Sequence, residues 1–346
     1  MIVDETMANS ILLRPSLFGN EPAPPVVAVV IPCYRVTRHV LDVIAAIPAW
    51  VTQIICVDDC CPDHSGDFIE RRCKDPRVRV VRNDTNLGVG GATIHGYREA
   101  MQSGADIVAK IDGDGQMDPA ILEHFIQPIS SGAADYAKGN RFYRPDALRR
   151  MPTMRLFGNA ALSFFCKLSS GYWYLMDPTN GYTAVHCNVL RLLPLEKIHP
   201  RYFFESDLLF RLGTVRAVVI DVPMDSVYGN EVSNLSVRKQ VLPFLRGHFV
   251  NFWKRVLYTY IVRDFNLASI MLLLGLPMML LGAAFGLWAW LHSIRTGVPA
   301  TAGTIMLAAL PIIAGLQLLL SAVNYDISSV PRRPIHPRFP GTALHR

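Results

Sequence analysis

Two long runs without a charged residue constrain this 346-residue chain more than any other feature. The first extends over residues 265–291 and the second over residues 301–323. At about 1.5 Å per helical residue, each run is long enough to cross a hydrocarbon core of about 30 Å. Because only a short connector separates the two runs, the sequence predicts an antiparallel transmembrane hairpin at residues 265–325.

Positive charges flank this hairpin, whereas the only Lys or Arg in its connector is Arg295. The flanking cations are Lys254, Arg255, Arg263, Arg332, Arg333, Arg338 and Arg346. By the positive-inside rule, both ends of the hairpin face the cytoplasm. We therefore predict an integral protein of the inner (cytoplasmic) membrane, with both termini, the large N-terminal part and a basic tail at residues 326–346 in the cytoplasm.

Composition argues against several classes of protein. The seven cysteines show no C-x-x-C spacing, which disfavours a disulfide framework or a zinc site and fits a reducing compartment. The net charge of +6 forms no basic stripe in the first 230 residues, so we expect no nucleic-acid partner. Residues 1–25 carry acids where a signal peptide needs bases, and we expect them to be a flexible lead-in.

Strand-like and helix-like patterns alternate in the first third of the chain. Strands are predicted at VVAVVIP, QIICVDD, VRVVRN and ADIVAKID, and helices at HVLDVIAAIPAW, GDFIERRC, GGATIHGYREAMQSG and PAILEHFIQPI. This order predicts an α/β domain at residues 26–238 with a doubly wound, mostly parallel sheet. Such sheets bind ligands at the carboxyl ends of their strands. Two pairs of acids follow these strands: Asp58 and Asp59, then Asp112 and Asp114.

Two further segments mix aromatic and apolar residues with basic ones, at about residues 155–175 and at residues 239–262. One alternative is that both are helices of the core, as aromatic stripes usually are. Because the second segment runs directly into the hairpin, we expect both to be amphipathic helices lying in the plane of the membrane surface.

The segment NLGVGGATIHG resembles a dinucleotide-binding fingerprint only in part. The G-x-G-x-x-G pattern requires glycine where Thr93 stands. It also belongs to the turn after the first strand, whereas this segment follows the third. The sequence therefore argues against a Rossmann-type cofactor site.

The segment DGDGQMDP, residues 112–119, places oxygen-bearing side chains on alternate residues after a buried strand. A calcium-binding EF-hand loop would need glycine where Met117 stands and a helix in place of the strand. A plain acidic surface turn is a second alternative. The third is an enzyme's metal site, because the oxygens of Asp112, Asp114 and Gln116 suit Mg²⁺ or Mn²⁺ completing its shell with substrate phosphates.

Five motifs together resemble a known family. VVIPCYR, ICVDDCCPD, NLGVGGA, DGDGQMDP and KGNRF stand in the order and spacing of family 2 glycosyltransferases with a GT-A-type fold. With the hairpin, residues 26–325 look like the polyprenyl-phosphate glycosyltransferases, the group of dolichol-phosphate mannose synthases and undecaprenyl-phosphate glucosyltransferases. The resemblance implies metal-dependent, inverting transfer of a hexose from a UDP- or GDP-sugar to a polyprenyl phosphate at the cytoplasmic face of the membrane.

The resemblance also implies roles for individual residues. Binding of the nucleotide is implied for Pro32, Tyr34, Asp58 and Asp59. Binding of the metal and the donor diphosphate is implied for Asp112, Asp114 and Gln116. Contacts with phosphate or acceptor are implied for Arg141, Arg155, Asp177 and Ser233. The implied catalytic residues are Asp112, Asp114, Glu205 and Asp207.

The chain departs from the family pattern at three positions. Arg35 stands where the first motif usually has Asn, Thr183 where Arg often follows TNGY, and Asn234 where Lys often follows the late Ser. Two cations of the family are therefore missing near the phosphates. Substitute contacts are expected from Arg155, Arg238 or Lys239.

The acceptor decides whether the carboxylates at 205 and 207 are needed. A phosphate monoester loses its second proton near about pH 6, so a lipid phosphate is already nucleophilic at neutral pH and needs only positioning and charge compensation. A hydroxyl acceptor, as in glycolipid or polysaccharide synthesis, would need Glu205 or Asp207 as a base. An alternative for these two residues is that both are exposed acids on a helix. An alternative for the whole chain is a non-catalytic scaffold that binds nucleotide-sugar. The sequence leaves a homo-oligomer open.

Overall fold

The computed structural model describes residues 24–143, 153–225 and 237–339. A seven-stranded sheet forms the centre of the N-terminal part. The strands are β1 (Val27–Cys33), β2 (Gln53–Asp58), β3 (Val78–Arg82), β4 (Ile107–Lys110), β5 (Tyr136–Asn140), β6 (Thr183–His186) and β7 (Val219–Pro223). Their spatial order is β3-β2-β1-β4-β6-β5-β7, and β6 is antiparallel to both of its neighbours while the other pairings are parallel. The predicted α/β fold with a mostly parallel sheet is confirmed.

One edge of the sheet collects the ends of several strands. Because β6 is antiparallel to both β4 and β5, those two strands run in the same direction. The carboxyl ends of β1, β2, β4 and β5 therefore meet the start of β6. We call this edge, formed by Cys33, Asp58, Lys110, Asn140 and Thr183, the carboxyl edge.

Helices cover both faces of the sheet. The first four are α1 (Val40–Ala46), α2 (Ser65–Arg72), α3 (Gly88–Gln102) and α4 (Leu122–Ser130), and each lies where the sequence predicts a helix. Alternate residues of β1 enter two apolar cores: Val29 and Ile31 join the core under α1 and α4, and Ala28 and Val30 join the core under α3. This burial on both faces explains why β1 is a continuous apolar run.

The next helices are α5 (Thr153–Ser170), α6 (Cys187–Leu190), α7 (Phe204–Val215) and α8 (Val237–Leu257), which continues as a π-helical turn at Tyr258–Arg263. Helix α5 packs against α7 and α8. Both α5 and α8 expose large apolar side chains, among them Phe157, Phe164, Leu242, Phe249 and Trp253. The two segments expected at the membrane surface are thus helical with apolar outer positions, and their place in the membrane plane stays a prediction.

The two uncharged runs form α9 (Leu267–Thr296) and α10 (Ala302–Ser328). The helices are antiparallel, because Gly275 lies against Gly315 while Gly282 lies against Ala308. Each is long and apolar enough to cross a membrane.

After α10 the chain returns to the α/β domain. The buried carboxylate of Asp135, just before β5, accepts hydrogen bonds from the backbone N–H groups of Ile335 and His336, each at 2.9 Å. Its second oxygen accepts one from the N–H of Val218 at 2.7 Å. The predicted basic tail, residues 326–346, is described as far as residue 339: its first residues end α10, and the segment that follows is docked on the domain.

Candidate active site

The predicted metal loop leaves β4 at the carboxyl edge. Asp112 and Asp114 are partly exposed there, and the side chain of Gln116 is exposed. The loop is tight: Gly115 has a φ of +77°, and a Cβ on Gly113 would lie 3.2 Å from Ile31 of β1. The three predicted donors thus lie on one short turn at the end of a buried strand, and their metal-binding role stays a prediction.

Next to this loop lies a lysine, Lys110, that was not predicted as a site residue from the sequence. Lys110, the last residue of β4, is completely buried. Its Nζ donates to Asp112 Oδ1 at 2.7 Å and to the carbonyl oxygen of Gly181 at 3.2 Å, and it lies 3.5 Å from Glu205 Oε1. Burial alone would lower the pKa of Lys110, but the charges of Asp112 and Glu205 raise it. The available signal was a lysine inside the apolar run ADIVAKI, since a charge in a central strand requires a partner.

The structure separates the two acids predicted on α7. Glu205 lies beside Lys110, and burial raises the pKa of Glu205 above its ordinary value although Lys110 opposes the shift. The carboxylate of Asp207 instead accepts from the His199 backbone N–H at 2.9 Å and from Asn251 Nδ2 of α8 at 2.9 Å. Both acids are buried, so the alternative of exposed acids on a helix is wrong.

The donor set at the metal loop fits a hard divalent cation. Asp112 and Asp114 offer carboxylate oxygens and Gln116 an amide oxygen, the ligand types that Mg²⁺ and Mn²⁺ prefer. Among the described residues, no group of three or more His, Cys, Asp or Glu side chains is placed to hold a metal ion by itself. Such a partial set suits a cation that takes its remaining ligands from substrate phosphates.

The predicted nucleotide-binding residues also lie at the carboxyl edge. Pro32 is partly buried at the end of β1, and Tyr34 is 44% exposed, with the Arg35 guanidinium 5.5 Å from its ring centre. Asp58 accepts from the backbone N–H groups of Cys61 at 2.8 Å and Gly66 at 2.6 Å. Its carboxylate thus fixes the loop between β2 and α2, and contact with a nucleotide stays a prediction.

Asp59 fixes the neighbouring loop in the same way. Its carboxylate accepts from the backbone N–H groups of Leu87 at 2.9 Å and Gly88 at 2.7 Å, at the start of α3. The N–H of Gly91 donates to the carbonyl oxygen of Pro200 at 2.8 Å, and a Cβ on Gly90 would lie 2.7 Å from the carbonyl oxygen of His199. Gly90 and Gly91 therefore let the backbone at residues 199–200 pack closely against the start of α3.

Arg141 and Asp177, predicted separately, form one unit. Arg141 donates from Nε to Asp177 Oδ2 and from Nη2 to Oδ1, both at 2.7 Å. Burial would raise the pKa of Asp177, but the hydrogen bonds and charge of Arg141 lower it. Asn180 Nδ2 donates to the same carboxylate at 3.0 Å. Asp177 thus holds the guanidinium of Arg141 in a fixed orientation at the carboxyl edge.

Some predicted residues lie outside the described part of the chain. These are Ser233, the side chain of Arg155, and the side chains of Arg238 and Lys239. Thr183, which replaces a family cation, is buried at the start of β6.

An apolar groove of about 420 Å³ lies between α5 and α8. Its lining residues are Phe165, Leu168, Leu242, Leu245, Arg246, His248, Phe249 and Phe252. The ring of His248 packs edge-on against Phe203 with ring centres 5.0 Å apart. Since Phe203 directly precedes α7 and Glu205 is in its first turn, the start of α7 lies between the groove and the metal loop.

Comparison with known proteins gives matches in sequence and in fold. The model of the family described as glycosyl transferase family 2 matches residues 28–193. An undecaprenyl-phosphate mannosyltransferase of Micrococcus luteus is 31% identical over 178 residues, 51% of this chain and 72% of that protein. A UDP-N-acetylglucosamine–dolichyl-phosphate N-acetylglucosaminyltransferase of Methanococcus voltae is 34% identical over 152 residues, 44% of this chain and 60% of that protein.

A solved structure resembles the fold. The glucosyl-3-phosphoglycerate synthase of Mycobacterium tuberculosis, in complex with Mn²⁺, UDP-glucose and phosphoglyceric acid, superposes with a TM-score of 0.50. The sequence identity is 19%, and the superposition covers 67% of this chain and 80% of that chain.

Proposed function

Since the chain belongs to glycosyl transferase family 2 and is a glycosyltransferase, we propose that it transfers a hexose from a UDP- or GDP-linked sugar to the phosphate of a polyprenyl phosphate. The transfer is an inverting single displacement that depends on Mg²⁺ or Mn²⁺. The names of both relatives support the acceptor class, because undecaprenyl and dolichyl phosphates are both polyprenyl phosphates.

The observation that carries this proposal is the position of the apolar groove. The groove between α5 and α8 contacts the start of α7, whose Glu205 reaches the Lys110 and Asp112 pair. An acceptor with an isoprenoid tail and a phosphate head needs an apolar surface next to a polar centre. Exposed Arg246 at the groove supplies positive charge for such a head group.

At the donor end, Asp112, Asp114 and Gln116 would hold the cation beside the diphosphate of the nucleotide-sugar. A cation held there would supply positive charge against the charge that develops on the leaving diphosphate. Arg141, oriented by Asp177, faces phosphate. Base and ribose lie against other residues of the carboxyl edge: Pro32, Tyr34 and the loops fixed by Asp58 and Asp59.

At the acceptor end, the site needs no strong base. Both oxygens of Asp207 are occupied by His199 and Asn251, and Glu205 is held by Lys110. Asp207 is therefore committed to hydrogen bonds within the protein, and the charge of Glu205 is paired with Lys110, so the proposal assigns neither carboxylate the role of a base. A lipid phosphate fits this arrangement because it is already ionised at neutral pH.

The membrane completes the proposal. Helices α9 and α10 cross the inner membrane as a hairpin, with the α/β domain and both chain termini in the cytoplasm. Helices α5 and α8 lie at the membrane surface and bring the carboxyl edge to the lipid phosphate. The flanking arginines and the exposed apolar positions of α5 and α8 support this orientation.

The test is transfer by the purified full chain in detergent or nanodiscs. Radiolabelled UDP- and GDP-hexoses are supplied with Mn²⁺ and a short polyprenyl phosphate, and the labelled lipid is separated by thin-layer chromatography. We expect label in the lipid with polyprenyl phosphate and none with the corresponding polyprenol. Removing the cation with EDTA should stop transfer, and added Mn²⁺ should restore it.

Two variants connect the result to the site. Asp114→Asn should abolish transfer while leaving the protein folded in the membrane. Glu196→Gln, which neutralises an exposed acid, is the matched control and should keep full activity. Label in the polyprenol sample would favour a hydroxyl acceptor. Absence of any labelled lipid with every donor would favour a non-catalytic scaffold.

A further inference from the structure

We propose that Glu205 is a positioning residue that shares the buried Lys110 with Asp112 and thereby leaves Asp112 available to a divalent cation. This inference rests on the metal role of Asp112 in the proposed function. It assigns to Glu205 a charge-balancing role in place of the general-base role that a hydroxyl acceptor would require.

The contacts of Lys110 are the first step. An ammonium group has three donor hydrogens, and three oxygens surround this one: Asp112 Oδ1 at 2.7 Å, Gly181 O at 3.2 Å and Glu205 Oε1 at 3.5 Å. Lys110 is 0% exposed, so water does not compensate its charge. A buried ammonium must be paired with a carboxylate, and here two are within reach.

The balance of charge is the second step. Lys110 and Asp112 alone would form a neutral pair, and the negative charge of Asp112 would be neutralised by the lysine. With Glu205 ionised, the three side chains of Lys110, Asp112 and Glu205 have one negative charge in excess. Glu205 therefore restores the attraction for a divalent cation that Lys110 removes.

The geometry of α7 is the third step. Glu205 and Asp207 are both in the first turn of α7, yet Asp207 contacts Asn251 of α8 at 2.9 Å. Of the two acids, it is Glu205 that lies beside Lys110, with its Oε1 3.5 Å from Lys110 Nζ. The sequence FESD thus provides one carboxylate for the metal loop and one for the junction with α8.

The test is the affinity of the full chain for Mn²⁺ in detergent without nucleotide, measured by electron paramagnetic resonance of free Mn²⁺. Glu205→Gln keeps the size of the side chain and removes its charge. We expect its dissociation constant for Mn²⁺ to rise about 10- to 100-fold, the range for loss of an outer partner of a metal ligand. Glu205→Asp, which keeps the charge, should recover part of the affinity.

The chain contains a matched control. Lys138 of β5 is also completely enclosed, at 1% exposure, and its Nζ donates to Asp221 Oδ1 at 2.9 Å. Asp221→Asn therefore removes the charge of a second acid paired with a buried lysine. We expect the same Mn²⁺ affinity as for the unaltered chain, within about twofold, even where thermal unfolding shows the lost stability that follows from breaking a buried ion pair.

Each outcome has a distinct meaning. Unchanged Mn²⁺ affinity in Glu205→Gln, with weakened affinity in Asp112→Asn, overturns the role of Glu205 and leaves the proposed function intact. Equal weakening in Glu205→Gln and Asp221→Asn also overturns it, because the effect would be general. Unchanged affinity in Asp112→Asn and Asp114→Asn would instead contradict the metal site of the proposed function.

Discussion

At the scale of single residues, Asp177 combines an unusual backbone conformation with a demanding side-chain environment. Its φ of +53° is in the left-handed region, and its side chain is 1% exposed while it holds Arg141 through two hydrogen bonds. Asn is among the residues that adopt this backbone conformation most readily, and it has the same shape as Asp. The Arg141–Asp177 pair can therefore be tested by removing the charge of Asp177 without disturbing the backbone turn at that residue.

We predict that Asp177→Asn lowers kcat/KM for transfer roughly 10- to 100-fold, because one hydrogen bond to a charged group contributes about 1.5–3 kcal/mol. The physical reason is loss of the orientation of Arg141. Steady-state kinetics with varied donor and acceptor measure the effect. Asn180→Ala, which removes only a neutral donor to the same carboxylate, is the milder companion variant. Unaltered kinetics in Asp177→Asn would show that the orientation of Arg141 is not needed.

The positions of site residues could be predicted from the sequence where a motif marks the end of a strand. Asp112 and Asp114 lie where the strand ADIVAKI ends, as the pattern predicts. The partners of these residues were not predictable, because they come from distant parts of the chain. Lys110 meets Glu205 across 95 positions, and Asp207 meets Asn251 through tertiary contact alone. A pattern of spacing contains no information about such pairs.

At the scale of elements, the hairpin is assembled through small residues. The buried small residues of α9 recur every seven positions, at Gly275, Gly282 and Ala289, and those of α10 at Gly315 and Ala322. A repeat of seven is typical of antiparallel helices that pack side by side, and small residues let their backbones approach closely. A Cβ on Gly315 would lie 2.7 Å from the carbonyl oxygen of Gly275.

We predict that Gly315→Leu separates the two helices and lowers the midpoint of thermal unfolding in detergent by several degrees. The reason is that the new side chain collides with backbone atoms, which cannot rotate away. Gly303→Leu is the matched control, because Gly303 lies in the first turn of the same helix and a Cβ there would have only Thr301 Oγ1 within 4 Å, at 3.8 Å. A midpoint as high in Gly315→Leu as in the control would mean that the close contact does not stabilise the hairpin.

The order of elements followed from the sequence wherever strands are apolar. The first four strands and the hairpin were predicted in this way, but β5, β6 and β7 were not. Strand β5 reads YAKGN, and its Lys138 and Asn140 are buried. Both side chains donate to Asp221 of β7, which makes polar residues tolerable in the strand. Tertiary hydrogen bonds, absent from any local pattern, therefore decide this half of the sheet.

At the scale of the whole molecule, two buried carboxylates connect the hairpin to the α/β domain. Asp326, at the end of α10, accepts from Arg255 Nη1 at 2.7 Å and from Trp173 Nε1 at 2.8 Å, and Tyr260 also donates to it. Asp135 of the α/β domain connects to the segment after α10 by accepting hydrogen bonds from the backbone N–H groups of Ile335 and His336. Hydropathy predicted the hairpin but not these connections.

The docked tail allows a test at this scale. Ending the chain after Ser329 removes three of the donors to Asp135: the N–H of Ile335, the N–H of His336 and its Nδ1 at 2.8 Å. Burial would raise the pKa of Asp135, but hydrogen bonds from His336, Val218 and Ile335 lower it. A carboxyl group whose pKa is lowered by folding stabilises the protein at neutral pH, and this contribution is lost as the pH falls through the folded-state value.

We predict that this truncation lowers the free energy of unfolding at pH 7 by about 3 kcal/mol or more, since each lost hydrogen bond to a charged group contributes about 1.5–3 kcal/mol. His336→Gln, which keeps both backbone donors, should cost less than the truncation. Chemical unfolding in detergent at pH 7 measures both variants. The difference between truncated and full chains should shrink in acid, because Asp135 is then protonated. Equal stability of the two chains at pH 7 would mean that the tail rests on the domain without stabilising it.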